Sequence, residues 1–264
     1  MKSAADKDNF NCLMNNTANR SLQSNHPKLS GPNIYIVIPA YNESKTIKNI
    51  IEELKSRKFN IIIVDDGSTD KTYEIASKSI NNSNGLIYKH VLNRGVGAAL
   101  KTGIKAALSR NAEIIVTFDA DGQHDPDDIS NLCQPIIDGK ADVVNGMRNF
   151  KEMPTSKKLG NQIMNVITQI FYGIKVNDSQ TGFKAFSNNA AQVLDFNSRG
   201  FGVISEIMGE VKKNDLRMEE VPIKTIYTDY SMTKGTNLKV GLKILFRLII
   251  NLFKKVLAWY INIL

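Results

Sequence analysis

Short apolar runs alternate with amphipathic stretches through the first half of the chain. Ile34 to Ile38, Asn60 to Asp65, Leu86 to Val91, Glu113 to Asp119 and Asp142 to Asn145 are brief and bounded by polar turns, which predicts five strands. Between them, helical spacing predicts helices near 44–57, 70–80, 95–109 and 126–138. In the third, Leu100, Ile104 and Leu108 share one face. Strand and helix in this alternation predict an α/β fold, a Rossmann-like, mainly parallel sheet with helices on both faces. Ligands of such sheets bind beyond the carboxyl ends of the strands. Past Gly146 the alternation gives way to a helix over 156–173, a polar turn Asn177 to Gly182 and an apolar segment Phe183 to Phe186. A helix over 203–213 and a strand over 217–226 follow. No linker isolates a second core, so one catalytic domain is expected from 33 to 235. Residues 1–32, rich in Asn and Ser, predict a flexible polar tail.

Composition changes the picture at one end only. The 264 residues are 42% apolar, enough for a substantial core, and the formal charge is +8. From Ser231 to Leu264 there are six cations and no acid, and residues 1–32 add +2, so the body from Asn33 to Tyr230 has no net charge. A polyanion-binding body is thereby excluded, and nucleic acid with it. Cys12 and Cys133 lie far apart without CxxC or Cys/His spacing, which argues against a disulfide framework or structural zinc and fits a reducing cytoplasm. The N-terminus lacks a signal-like apolar run, and no stretch reaches about 18 uninterrupted apolar residues, so secretion and a transmembrane anchor are not expected.

The loops after the strands carry the unusual residues. Asp119 and Asp121 alternate out of a buried strand, and two carboxylates so placed suit Mg or Mn; the plainer role is ending the strand and capping the next helix. Gln123 and His124 are further ligand candidates. Asp65 and Asp66 are adjacent acids whose repulsion a cation, ring nitrogens or ribose hydroxyls would offset, while Ser68, Thr69 and Asp70 suit a helix start. Gly95-Val96-Gly97 follows the third strand, not the first, so dinucleotide binding is not expected. Either its amides and Arg94 face a phosphate, or small residues pack helix on sheet. Walker-type, Gly-x-Ser-x-Gly and Cys/His nucleophile patterns do not occur.

Five ordered motifs are recognisable: Pro39-Ala40-Tyr41-Asn42-Glu43, Val64 through Asp70, Asp119 through His124, Gly146-Met147-Arg148 and Asp178-Ser179-Gln180-Thr181-Gly182-Phe183. From about Ile34 to Lys234 the chain resembles the inverting nucleotide-sugar glycosyltransferases of the dolichol-phosphate mannosyltransferase type. The resemblance implies a GT-A fold, a nucleoside-diphosphate sugar donor and a polyprenyl-phosphate acceptor. It places nucleoside contacts on Pro39, Tyr41, Glu43, Val64 and Asp66, and diphosphate and metal contacts on Asp119, Asp121 and Gln123, with Ala120 in the donor-binding set. Arg148 corresponds to a donor or acceptor phosphate contact, Lys157 to an acceptor-phosphate arginine and Lys234 to a phosphate-binding lysine. The chain departs from the mannosyltransferases at Thr228, where they carry arginine, and at Lys157, which lacks the guanidinium fork.

The expected chemistry follows from charge. As the sugar–phosphate bond breaks, negative charge grows on the nucleoside diphosphate and a divalent ion offsets it. A lipid phosphate is already anionic, so Arg148 and Lys157 need only align it. A hydroxyl acceptor needs a base, for which Asp178 is the candidate and Glu206 a weaker one. The stretch 236–264 places Lys239, Lys243, Arg247 and Asn251 at four-residue spacing, continued by Lys254-Lys255, as a narrow stripe on a wide apolar helix, with Trp259 and Tyr260 beyond. That pattern predicts a segment lying in a membrane interface, against the alternative of a packed terminal helix. The expectation is a peripheral, metal-dependent enzyme at the cytoplasmic membrane face. A saccharide hydroxyl as acceptor and a non-catalytic nucleotide-sugar-binding module are the alternatives.

Overall fold

Runs such as Ile61 to Val64 are apolar at every position because both sides of each strand are covered. In a computed structural model of the protein, which describes residues 31–81, 85–151, 153–197, 200 and 202–227, seven strands form one sheet. They are β1 (Ile34–Ala40), β2 (Asn60–Asp65), β3 (Gly85–Lys89), β4 (Ile114–Thr117), β5 (Val143–Arg148), β6 (Lys184–Ser187) and β7 (Met218–Ile223), in the order β3-β2-β1-β4-β6-β5-β7. All pairs are parallel except those of β6 with β4 and with β5.

Alternation sorts the strand residues to two cores. Ile36 and Ile38 face one side with Ile61 and Ile63, where α1 (Ile47–Ser56), α2 (Thr72–Ile80) and α4 (Asp128–Ile137) cover them. Val37, Ile62 and Val64 face the other, under α3 (Val96–Leu108), α6 (Asn188–Val193) and α7 (Gly202–Lys213). At Gly103 of α3 an added Cβ would fall 2.3 Å from Val37 Cγ1, so only glycine lets helix and strand approach this closely.

The sheet and its first four helices agree with the sequence pattern, with ends moved by up to three residues. α1 starts at Ile47 rather than 44 because Glu43 O accepts from Thr46 N and Ile47 N, spending residues 43–46 on a turn. α6 is not in the sequence pattern; it is short and rests on Ser187, whose hydroxyl accepts from Ala190 N. The apolar segment after the polar turn is strand β6, running against its neighbours. That reversal carries the 177–182 turn to the rim where β4 and β5 end. α5 (Thr155–Tyr172) matches the helix predicted over 156–173. Nearly all of the N-terminal stretch and everything from 228 onward lie outside the described residues, and with them Thr228, Lys234 and the basic segment 236–264.

Candidate active site

The strand order reverses direction between β1 and β4, and their carboxyl ends open a crevice at that switch point. Its walls are stapled by side chains. Ser68 Oγ accepts from Asn42 N at 3.0 Å, Thr72 Oγ1 from Glu43 N at 2.7 Å, and Thr46 Oγ1 donates to Ala120 O at 2.6 Å. The exits of β1, β2 and β4 therefore form one unit. On it Pro39, Glu43, Val64 and Ala120 are buried and Tyr41 is exposed.

The two acids after β2 have different fates. Asp66 is buried and accepts from Arg94 N at 3.0 Å and Gly95 N at 2.6 Å, while His90 Nδ1 lies 2.6 Å away. The amides that might have faced a phosphate thus bind a carboxylate of the chain itself. Asp65, fully buried, accepts from Ser68 N through Oδ2, while its Oδ1 has no partner. A buried orphan oxygen costs free energy unless a ligand satisfies it. Directly after them, Gly67 has φ +72°, and a Cβ there would lie 2.6 Å from the Leu92 and Asn93 backbone.

Beyond β4, Asp119 and Asp121 share a floor. His124 Nε2 lies 3.1 Å from Asp119 Oδ2, with its ring stacked on Phe183 at 4.6 Å. Asp119 rests on Gly182, where a Cβ would come within 2.3 Å of its carboxylate. Desolvation would raise the Asp119 acid, but the hydrogen bond and charge of His124, with Arg148 and Lys184, outweigh it and hold it below its ordinary value. Asp121 is pushed up, by burial first and by Asp119 second; it accepts from Gln123 N at 3.0 Å and Gln123 Nε2 at 2.6 Å. Two close carboxylates, one made reluctant to ionise by burial and by the other, are hard oxygen donors that fit Mg or Mn, which is commonly held by one or two carboxylates plus substrate phosphates. Among the described residues no group of three or more His, Cys, Asp or Glu is placed to hold a metal ion by itself.

Arg148 at the end of β5 meets Asp178 in the turn before β6. Nε donates to Oδ2 at 2.7 Å and an Nη to Oδ1 at 2.8 Å, a bidentate pair. The Arg148 amide at 3.2 Å and Asn161 Nδ2 at 3.0 Å add to it, and the Asp178 side chain is wholly buried. Burial would raise the Asp178 acid, but the hydrogen bonds and charge of Arg148 prevail and lower it. The sequence-based candidate for a base is therefore a saturated, weakly basic carboxylate whose partner is Arg148. Glu206 accepts from Asn197 N at 3.0 Å, bracing the segment before α7. Lys157, early in α5, is drawn down chiefly by burial, with Asp121 opposing and Arg148 adding, which puts all three in one field.

Sequence reasoning missed three participants. Buried Lys184 and Asn145, with partly buried Glu220, form a network under the Asp178 turn. A lysine inside the apolar run Phe183 to Phe186 was the available signal.

A family model described as Glycosyl transferase family 2 matches residues 35–195. The UDP-N-acetylglucosamine–dolichyl-phosphate N-acetylglucosaminyltransferase of Methanococcus voltae is 47% identical, covering 85% of this chain and 98% of that protein. The polyprenol monophosphomannose synthase of Mycolicibacterium smegmatis is 26% identical over 77% of this chain and 82% of its own. Glucosyl-3-phosphoglycerate synthase from Mycobacterium tuberculosis, solved with Mn2+, UDP and glucosyl-3-phosphoglycerate, has the same fold, with a TM-score of 0.66 at 19% identity over 87% and 85% of the two chains.

Proposed function

The chain belongs to glycosyl transferase family 2, and from that premise we propose that it transfers N-acetylglucosamine from UDP-N-acetylglucosamine to a dolichyl-type polyprenyl phosphate with inversion. The observation that carries the choice of acceptor is the Arg148–Asp178 pair. A saccharide hydroxyl needs a base at the reacting oxygen, and Asp178 is spent on four donors from Arg148 and Asn161. A phosphate monoester, whose second pKa is about 6, arrives deprotonated. It needs alignment and charge neutralisation, which Arg148 and Lys157 supply.

In this reading the uridine lies between the exits of β1 and β2, against Pro39, Tyr41, Glu43 and Val64, and the orphan oxygen of Asp65 supports a hydrogen bond to its base or ribose. Asp66 shapes that wall by holding Arg94 N and Gly95 N. Asp119, Asp121 and Gln123 would hold a Mg or Mn ion, which when bound offsets the charge growing on the leaving diphosphate. Arg148, its guanidinium fixed by Asp178, and Lys157 hold the acceptor phosphate so that one oxygen faces the anomeric carbon opposite the departing UDP. The new bond joins that oxygen to the anomeric carbon, the old sugar–phosphate bond breaks, and UDP leaves with the electron pair.

The acceptor is a lipid, so the reading makes the enzyme peripheral to a membrane, on its cytoplasmic face. α5 supports this. It starts beside the site at Lys157 and then exposes Leu159, Ile163, Val166 and Ile170 at helical spacing, without one acid in its 18 residues. Among the described residues no helix is long and apolar enough to cross a membrane.

Purified protein with Mg, UDP-N-acetylglucosamine and dolichyl phosphate is expected to yield UDP and an acid-labile glycolipid in equal amounts. UDP without glycolipid, or sugar appearing on an added oligosaccharide, would overturn the acceptor assignment.

A further inference from the structure

Among the described residues Lys184 is the one buried lysine, 1% exposed at the centre of the sheet. In register it stands between Thr117 of β4 and Asn145 of β5. An ammonium donates three hydrogen bonds and accepts none, so the group it faces must be an acceptor. Nζ donates to Asn145 Oδ1, and this decides which way the Asn145 amide points. Asn145 Nδ2 then donates to the Asp178 carbonyl at 2.8 Å and to Glu220 Oε1 at 3.1 Å. Glu220 in turn accepts from Asn177 N at 2.8 Å and Asp178 N at 3.2 Å. The turn that carries the Asp178 carboxylate is thus pinned from beneath by Asn145 and Glu220, with Lys184 behind Asn145.

The charges agree with the hydrogen bonds. Asp178 from the turn, Glu220 from β7 and Asp119 from the end of β4 attract Lys184, and Arg148 from β5 opposes it. Without Lys184, three carboxylates would face one guanidinium under a site meant to receive phosphate, leaving a floor that repels the ligand.

We propose that Lys184 is a positioning residue for acceptor-phosphate recognition: it orients Asn145, Asn145 and Glu220 fix the 177–178 turn, and Asp178 of that turn holds the Arg148 guanidinium in place. This rests on the transfer reading above and adds to it a residue that never touches the substrate.

The test compares Lys184→Met, Lys184→Gln, Asn145→Ala and the double variant Lys184→Met/Asn145→Ala in the full chain. Steady-state kinetics vary dolichyl phosphate and UDP-N-acetylglucosamine separately, with thermal melts alongside. Misplacing an aligning group by about 1 Å costs on the order of a hundredfold, so kcat/KM for dolichyl phosphate is expected to fall about ten- to a hundredfold in folded Lys184→Met while the KM for UDP-N-acetylglucosamine stays unchanged. The double variant is expected to be no worse than the poorer single one, because both act along one path. Full acceptor use in folded Lys184→Met, equal losses for donor and acceptor, or additive losses in the double variant would each overturn the proposal. Should Lys184→Met not fold, Lys184→Gln, which keeps a donor and drops the charge, and Asn145→Ala are held to the same split. Absence of transfer by the wild-type protein would refute the reading on which this builds, whereas wild-type transfer with an unaffected Lys184→Met refutes the role of Lys184 alone.

Discussion

Asp178 separates two roles that a sequence cannot. As a base it would need a free oxygen; as the anchor of Arg148 it needs both oxygens occupied, which is what the structure has. Breaking a buried ion pair by removing one charge costs about 3 to 5 kcal/mol, so Asp178→Asn is expected to lose stability by that order together with acceptor use. A variant that unfolds at the wild-type denaturant midpoint and loses only turnover would restore the base assignment. Lys184 gives a second expectation. Burial, opposed by Asp178 and Glu220, pulls its ammonium down to about 7 from its ordinary 10.5. Between those values the unfolded chain holds a proton that the folded one lacks, so the cost of burying the charge is full below about 7 and shrinks as pH rises toward 10.5. Denaturant midpoints at pH 6.5 and 9 should rise more steeply with pH in the wild type than in Lys184→Met; equal slopes would refute a titrating Lys184. The residues legible from sequence were those on rim loops, where Asp119, Asp121 and Arg148 stand out against turn residues. Asn145, Lys184 and Glu220 were not, because their meaning lies in partners 33 to 75 positions away.

At the scale of elements, periodicity found five parallel-type strands and the long helices, since both cores are built from alternation of 2 and about 3.6 residues. It did not give the direction of β6. Four apolar residues read the same either way, and what turns the strand round is the tight 177–182 turn, held by Glu220 and Asn165. α5 was found as a helix, yet only the structure shows which face is bare. Met164 and Ile167 are buried, whereas Leu159, Ile163, Val166 and Ile170 are not. An exposed row of this kind marks an interaction surface. Its position next to Lys157 suits a bilayer from which a lipid phosphate is drawn. Replacing Val166 and Ile170 with Glu is expected to reduce sedimentation with vesicles of phosphatidylcholine and phosphatidylserine while leaving the melting temperature unchanged. Unaltered sedimentation would remove α5 from the membrane surface and leave the basic segment 236–264 as the candidate.

For the molecule as a whole, the strand order is what joins the separate loops. Motifs at 39–43, 64–70 and 119–124 converge because β1 lies between β2 and β4, and those at 146–148 and 178–183 join them because antiparallel β6 sits between β4 and β5. The sequence showed that these motifs belong to strand ends, but not which strands are neighbours, since that depends on contacts between distant segments. One consequence can be measured on the intact protein. If the donor bridges the β1–β2 wall and the Asp119–Asp121 floor, UDP and metal together tie the two sides of the crevice, and each strengthens the other's binding. A ligand at a hundred times its Kd stabilises by about 2.7 kcal/mol, which for a chain of this size raises Tm by roughly 5 to 10 °C. UDP with Mg is expected to produce a rise of that order, UDP with a chelator a much smaller one, and Asp121→Ala the smaller rise under both conditions. Burial and Asp119 push the Asp121 acid up in the absence of a cation, so the rise with UDP and Mg should also diminish as pH falls and the carboxyl takes up a proton in place of the ion. A Tm rise with UDP that is indifferent to Mg, to pH and to Asp121 would place the whole of donor binding on the nucleoside wall and withdraw the metal from the floor.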